Sequence, residues 1–183
     1  MNTSLLSDRL WPQAGLARKA VLAVLGSLLV AAAAQVNVPM IPVPMTLQTL
    51  AVLMIGAAYG SRLGAATLAL YALEGAIGLP VFAEFKSGVM LASFGYVLGF
   101  IAAAFVVGYL AERGWDRSVP KMFAAMLLGA AVLYVPGLLW LSAWIGPSAA
   151  IQYGLTPFLV GDVVKAAVAA LGFPAAWALL GRR

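Results

Sequence analysis

The 183-residue sequence contains no cysteine and no histidine, and only 9% of its residues are charged. Without cysteine there are no disulfides, thiolate metal sites or nucleophilic thiols, and without histidine there is no imidazole for acid–base chemistry. The scarcity of charge is matched by 64% hydrophobic residues and a mean hydropathy of +1.01. Soluble domains are roughly 45–50% apolar and about a quarter charged, so this composition describes an integral membrane protein. Long unbroken apolar runs, without the period-two alternation of barrel strands, specify helices and not a transmembrane β-barrel. The phosphate-binding G-x-x-x-x-G-K-[ST] loop and the G-x-S-x-G nucleophile elbow are also missing from the sequence. Nothing in the chain calls for a cofactor or a bound metal.

What is present reads as six apolar spans, roughly Ala20–Gln35, Thr46–Gly60, Gly64–Leu79, Val89–Ala111, Met122–Ile145 and Leu155–Leu180. At about 20 residues per span they fill the chain. The expected fold is therefore an all-α integral membrane protein, six transmembrane helices in one bundle, with residues 1–183 forming a single transmembrane domain. Spans two and three are short for a hydrocarbon core of about 30 Å, so they are expected to begin within their flanking loops. The net charge of +5 comes from residues dispersed between the spans, which is a topology signal and not a nucleic-acid patch. Arg9, Arg18, Lys19, Arg62, Arg113, Arg117, Lys121, Arg182 and Arg183 fall in connections on one side, and only Lys86 falls on the other. The positive-inside rule then places both termini in the cytoplasm. The basic start and apolar run ending in Ala31-Ala-Ala-Ala-Gln resemble a secretory signal. Cleavage there would break the charge alternation, so an uncleaved first helix fits better.

Asp162 and Lys165 stand out within the last span. A spacing of three residues puts both side chains on one helix face. Charges in a membrane-grade segment cost several kcal/mol, so they persist where they pair, line a cavity or hold a ligand. Counting inward from Leu155 at 1.5 Å per residue puts them roughly 10–15 Å from the outer end. A lysine ammonium suits a ligand carboxylate, and a carboxylate accepts N–H donors. An ion pair that only fixes packing is the competing reading. Glu74 in span three is a second candidate, either in the cavity or snorkelling near the outer interface. The first outward loop, from Asn37 to Gln48, places Pro39, Pro42 and Pro44 within six positions and must be extended and stiff. Apolar non-helical backbone of this kind suits a lid, with Thr46 and Gln48 at its end facing a pocket or merely ending a helix. The second outward loop carries Phe82, Glu84, Phe85 and Lys86. In span one, the small residues Ala23, Ser27 and Ala31 recur at four-residue spacing, which allows close helix approach either within the bundle or against an external partner.

Four runs then carry a family resemblance: Val43-Pro-Met-Thr-Leu-Gln-Thr-Leu50, Tyr71-Ala-Leu-Glu-Gly-Ala-Ile-Gly-Leu-Pro-Val-Phe82, Gly95-Tyr-Val-Leu-Gly-Phe100 and Gly161-Asp-Val-Val-Lys165. Together, in order and over essentially the whole chain, they resemble the BioY family, the biotin-binding S components of energy-coupling factor transporters. The resemblance implies a membrane subunit without enzymatic activity that captures biotin with high affinity from the outer side. It implies a coupling subunit and ABC-type ATPases as partners, within the lipid bilayer and without nucleic acid. It assigns Asp162 and Lys165 to the ligand, with Lys165 meeting either the ureido oxygen or the carboxylate, and adds Gln48, Thr46, Glu74, Tyr71, Phe82, Lys86 and Tyr96 to the candidate ligand site. It maps partner docking to the region of Ala23, Ser27 and Ala31. The loop between spans three and four departs from the family's P-T-G-G-Y run and looks shorter, so the lid contacts are expected to differ. A self-sufficient, ion-coupled carrier of another small anion, using Glu74 or Asp162, is the alternative within transport. A membrane enzyme or a structural helix-packing subunit is the alternative outside it.

Overall fold

The computed structural model describes residues 5–10 and 15–180. Its elements are α1 (Leu6–Leu10), α2 (Leu16–Gln35), β1 (Asn37–Val38), β2 (Met45–Thr46), α3 (Gln48–Ala76), α4 (Phe94–Ala111), α5 (Val119–Ile145), α6 (Pro147–Gly154) and α7 (Leu159–Leu180). Five stretches are helical, long and apolar enough to cross a membrane: α2, α3, α4, α5 and Pro147–Leu179.

The 29 residues of α3 are two helices, not one. Gly60 breaks it with φ 82° and ψ 178°, a left-handed conformation that glycine adopts without a Cβ penalty. The chain reverses there: a Cβ on Gly64 would lie 3.1 Å from the Cα of Gly56. Gln48 and Tyr71, 23 residues apart, are hydrogen-bonded across the two arms. A straight helix would separate them by about 35 Å at 1.5 Å per residue. The arms 48–59 and 61–76 are the expected spans two and three, and six helical segments result. At about 18 and 24 Å they are short for a hydrocarbon core of about 30 Å.

Most span boundaries shift by a few residues from the sequence reading, and three of the shifts have clear local causes. The second arm ends at Ala76 because Gly78 turns with φ 107° and Pro80 follows. Residues 89–93 are irregular, so the fourth span starts at Phe94 and not Val89. The last span starts at Leu159, after a 3-10 turn at Thr156–Phe158 that contains Pro157.

Small residues let the central helices touch backbone to backbone. A Cβ on Gly56 would meet the Ala104 carbonyl oxygen at 2.6 Å, and one on Gly108 would run into the backbone of Gly60 and Ser61. Glu112, just past α4, locks the same turn by accepting bonds from Ser61 N at 2.7 Å and Ser61 Oγ at 2.8 Å. The core between these helices is apolar, with Leu68, Met122, Met126, Leu133 and Leu141 fully buried. Outside it, Leu25, Leu28 and Leu29 of α2 and Val160, Val164, Val168 and Leu171 of α7 are more than half exposed, as lipid-facing positions are.

Arg62 and Arg113 flank the Gly60 turn and Glu112 at one end of the bundle, and the 3-10 turn Trp115–Arg117 follows there. Lys86 lies at the other end, with the proline-rich loop and the loop that precedes α4. Arg9 and Arg182–Arg183 belong to the same basic set in sequence, but the Arg9 side chain and residues 182 and 183 lie outside the described structure.

Candidate functional site

At the end away from the Gly60 turn, the proline-rich loop folds over the bundle. β1 and β2 pair antiparallel, Asn37 with Thr46 and Val38 with Met45, so residues 39–44 form the loop of a short hairpin. Its base is tied to the helix that precedes it by Leu47 N donating to Val36 O at 2.9 Å. The three prolines exclude helix here, and the bridge satisfies the backbone groups that helix would otherwise pair.

Beneath the hairpin lies a small cavity of about 50 Å³. Small-molecule sites span roughly 300–1,000 Å³, so the cavity is nearly closed as it stands, and the hairpin or the second loop must move to admit a ligand of that class. Val43, Pro44 and Thr46 form one rim, and Phe82, Ala83 and Ser93 from the second loop form another. Gln48 and Thr49 line it from α3, Tyr96, Val97 and Phe100 from α4, Leu133 and Tyr134 from α5, Phe158 from the 3-10 turn before α7, and Lys165 from α7. Apolar and aromatic walls with a few convergent polar groups are what a small amphipathic ligand requires.

Lys165 is the only charged residue in this wall. Its ammonium donates to Thr46 O at 2.8 Å and to Thr49 Oγ1 at 2.7 Å, and it stands 3.6 Å from Asp162 Oδ1. Asp162 does not itself line the cavity; it lies one layer behind, 7% exposed. Its other oxygen accepts the hydroxyl proton of Tyr134. The Tyr134 ring packs at 89° against Tyr96, 6.1 Å between centroids, and Tyr96 OH donates to Gly154 O at 2.9 Å. A buried carboxylate held by a phenol and an ammonium keeps its orientation, and both of its holders face the cavity.

The opposite wall is built the same way. Gln48 Nε2 donates to Tyr71 OH at 2.5 Å, and Tyr71 OH donates to Val81 O at 2.9 Å. Tyr71 thereby stands behind Gln48 and ties α3 to the second loop. Phe82, 3% exposed, packs edge-on to Tyr71 at 5.5 Å and fills the space where a side chain on Gly75 would go. Gln35 holds the same loop through Nε2 to Phe82 O at 3.0 Å and Phe85 N to its Oε1 at 3.1 Å.

The residues anticipated from sequence therefore separate. Thr46, Gln48, Phe82, Tyr96 and Lys165 line one cavity, and Asp162 and Tyr71 support it from behind. Glu74 is elsewhere, accepting a bond from Ser27 Oγ between α2 and α3. Lys86 is more than half exposed and pairs with Glu84 at 2.5 Å, outside the cavity wall. Ser27 is fully buried at that same α2–α3 contact, while Ala23 and Ala31 are half-buried. Tyr134, Thr49 and Phe158 were not anticipated. The signal for Tyr134 was a lone hydroxyl in the apolar run before Pro136, and for Thr49 its place beside Gln48 in the proline-rich run.

The profile of the BioY family matches residues 1–182. The chain belongs to the BioY family. Among its relatives, the biotin transporter BioY of Thermotoga maritima is 37% identical over 147 residues, 78% of this chain and 86% of that protein. The biotin transporter BioY of Rhizobium etli is 38% identical over 147 residues, 74% of this chain and 79% of that protein. The probable biotin transporter BioY of Pyrococcus horikoshii is 37% identical over 141 residues, covering 75% and 83%. The fold matches the crystal structure of the S-component for biotin from an ECF-type ABC transporter with a TM-score of 0.73, over 87% of this chain and 90% of that one, at 21% identity. This member of the BioY family is accordingly a multi-pass membrane protein with the S-component fold.

Proposed function

We propose that the chain is the biotin-binding subunit of an energy-coupling factor transporter, taking biotin into the cavity beneath the proline-rich hairpin. The observation that carries the reading is the single cation at the cavity wall, the Lys165 ammonium, backed 3.6 Å away by a carboxylate oxygen of Asp162. A ureido ring presents a carbonyl acceptor and the valeryl chain a carboxylate, and an ammonium suits either. On this reading Lys165 donates to the ureido oxygen or to the carboxylate, and Asp162 acts from behind the wall by orienting Lys165 and Tyr134. The aromatic and aliphatic wall (Phe82, Tyr96, Val97, Phe100, Leu133, Phe158) takes the thiophane ring and valeryl chain. To reach the ligand, Lys165 exchanges one of its bonds to Thr46 or Thr49, which couples occupancy to the hairpin.

Import against a gradient needs a motor, and the sequence carries no phosphate-binding loop. A coupling subunit and ABC-type ATPases supply it on this reading, and the chain captures and presents the ligand without chemical change. The basic end, with Arg18, Lys19, Arg62, Arg113, Arg117 and Lys121, faces the cytoplasm, and the cavity opens outward.

The test is a titration of the purified protein with biotin and with biotin amide, in which the carboxylate is replaced by an uncharged amide. Saturable binding of both, with similar loss on Lys165→Met, supports ureido recognition. Binding of biotin alone moves Lys165 to the carboxylate end. No saturable binding of either overturns the reading.

A further inference from the structure

A second, larger opening lies at the opposite end of the bundle. It is a crevice of about 660 Å³, open to the side, between α2 and α7 with α3 as its floor. Leu22, Met54, Ala58, Val168, Phe173 and Ala176 give it an almost wholly apolar surface. Gly172 on its α7 side has no neighbour within 4 Å of where a Cβ would stand, so the space beside it is unfilled.

The crevice runs into a polar cavity at its end, with which it shares Ser7 and Tyr59. That cavity is lined by Arg18, Lys19 and Arg62 together with Asp8 and Glu112. The two acids are already engaged: Asp8 pairs with Arg18 at 3.0 Å, and Glu112 accepts both Ser61 bonds. Lys19 and Arg62 have no ion-pair partner among the described residues. Arg18 is 8% exposed, and its Nε is a buried donor without an acceptor. A buried guanidinium donor without an acceptor is destabilising, and an arriving anion relieves that cost.

We propose that these two spaces form one binding site for an anionic phospholipid. One acyl chain lies in the crevice against Val168, Gly172 and Phe173, and the phosphate sits among Arg18, Lys19 and Arg62. The apolar length and the cationic end match the two halves of a lipid, whereas a soluble anion uses only the second. Basic pockets between transmembrane helices bind acidic headgroups in this manner.

The experiment uses the full chain, delipidated in neutral detergent. Native mass spectrometry and thermal unfolding are read with dioleoyl phosphatidylglycerol, dioleoyl phosphatidylcholine and glycerol 3-phosphate. The expected result is a one-to-one phosphatidylglycerol adduct with raised Tm, weaker retention of phosphatidylcholine, and no shift with glycerol 3-phosphate. Lys19→Gln and Arg62→Gln, both at exposed positions, each lower the preference for the anionic lipid about fivefold, the value of one juxtamembrane charge. Gly172→Phe fills the crevice and lowers retention of both lipids. Arg18→Gln is the less secure variant because it also breaks the Asp8 pair. Equal retention of the two lipids overturns the proposal, as does equal stabilisation by glycerol 3-phosphate. So does a crevice that releases both lipids and closes instead against a second copy of the chain, seen as a dimer in the same spectra.

Discussion

Two buried aspartates sit at opposite ends of the bundle and are handled differently. Asp162, at the hairpin end, has both oxygens facing a partner: Tyr134 OH on one and Lys165 on the other. Both partners open onto a cavity. Asp116, in the turn after α4, is 1% exposed and has Trp177 Nε1 on one oxygen at 2.5 Å, while the other has no hydrogen-bond partner among the described residues. The Arg117 guanidinium lies 4.5 Å over the Trp177 ring, so the cation nearby stacks on the indole. Burial pushes the Asp116 carboxyl above its ordinary value, against the lowering effects of the Trp177 bond and Arg117. Both carboxylates are buried, but only Asp162 holds its neighbours in a geometry that a ligand can use. Burial of a carboxylate alone thus identifies nothing; the groups aligned by it do.

The comparison is broken most severely by removing the Asp162–Lys165 pair. Asp162→Asn and Lys165→Met are each expected to weaken biotin binding by about 1–3 kcal/mol or more, since each leaves a buried partner unsatisfied. Calorimetric titration measures it, and normal affinity in both variants would make the pair purely structural. A comparable effect, on stability instead of binding, is expected at the glycine contacts of the closed end. Gly56→Ala drives a methyl into the Ala104 backbone. Such overpacking costs about 1–3 kcal/mol, read as a lowered Tm in detergent.

Tyr134→Phe sharpens the contrast, because it removes one hydroxyl from behind the cavity and keeps the ring against Tyr96. Binding should weaken by about 1.5–3 kcal/mol, the range for a hydrogen bond to a charged group, while Tm changes little. A lowered Tm with intact affinity would assign Tyr134 to packing.

Asp116 predicts a pH effect of opposite purpose. Its native carboxyl holds a proton more tightly than the unfolded one does. Its contribution to stability is therefore fully present below the ordinary aspartate value and is lost as pH rises through the raised native value. Asp116→Asn keeps an acceptor for Trp177 and removes the charge. It should abolish that pH-dependent component of Tm and leave stability at neutral pH unchanged or higher. The smallest effect is expected at Lys86. Its exposed pair with Glu84 belongs to the class worth about 0–1 kcal/mol. Lys86→Ala should leave Tm within a degree or two and biotin affinity within about twofold, on the same scale. A tenfold loss of affinity would mean that the second loop brings Lys86 to the ligand.

Membrane residence, helix type, the segment count and the exceptional character of Asp162 and Lys165 were all legible in the sequence. These follow from properties that a residue carries wherever it sits: the transfer cost of charge, the length of a span, the fixed φ of proline. The reversal at Gly60 was legible as a boundary between two short spans, although the helical hydrogen bonding on either side of it runs nearly continuously. The positions of Glu74 and Lys86 were not legible, because each is decided by which neighbour is nearer. Ser27 on α2 meets Glu74, and Glu84 two residues away meets Lys86. Tyr134 was equally hidden. It is 28 residues from Asp162, and only the packing of α5 against α7 brings its hydroxyl to that carboxylate. Composition and spacing determined that this chain spans a membrane and carries an acid–base pair inside it. Tertiary packing alone decided that the pair stands at a cavity, since contacts between distant helices depend on shape and not on sequence period.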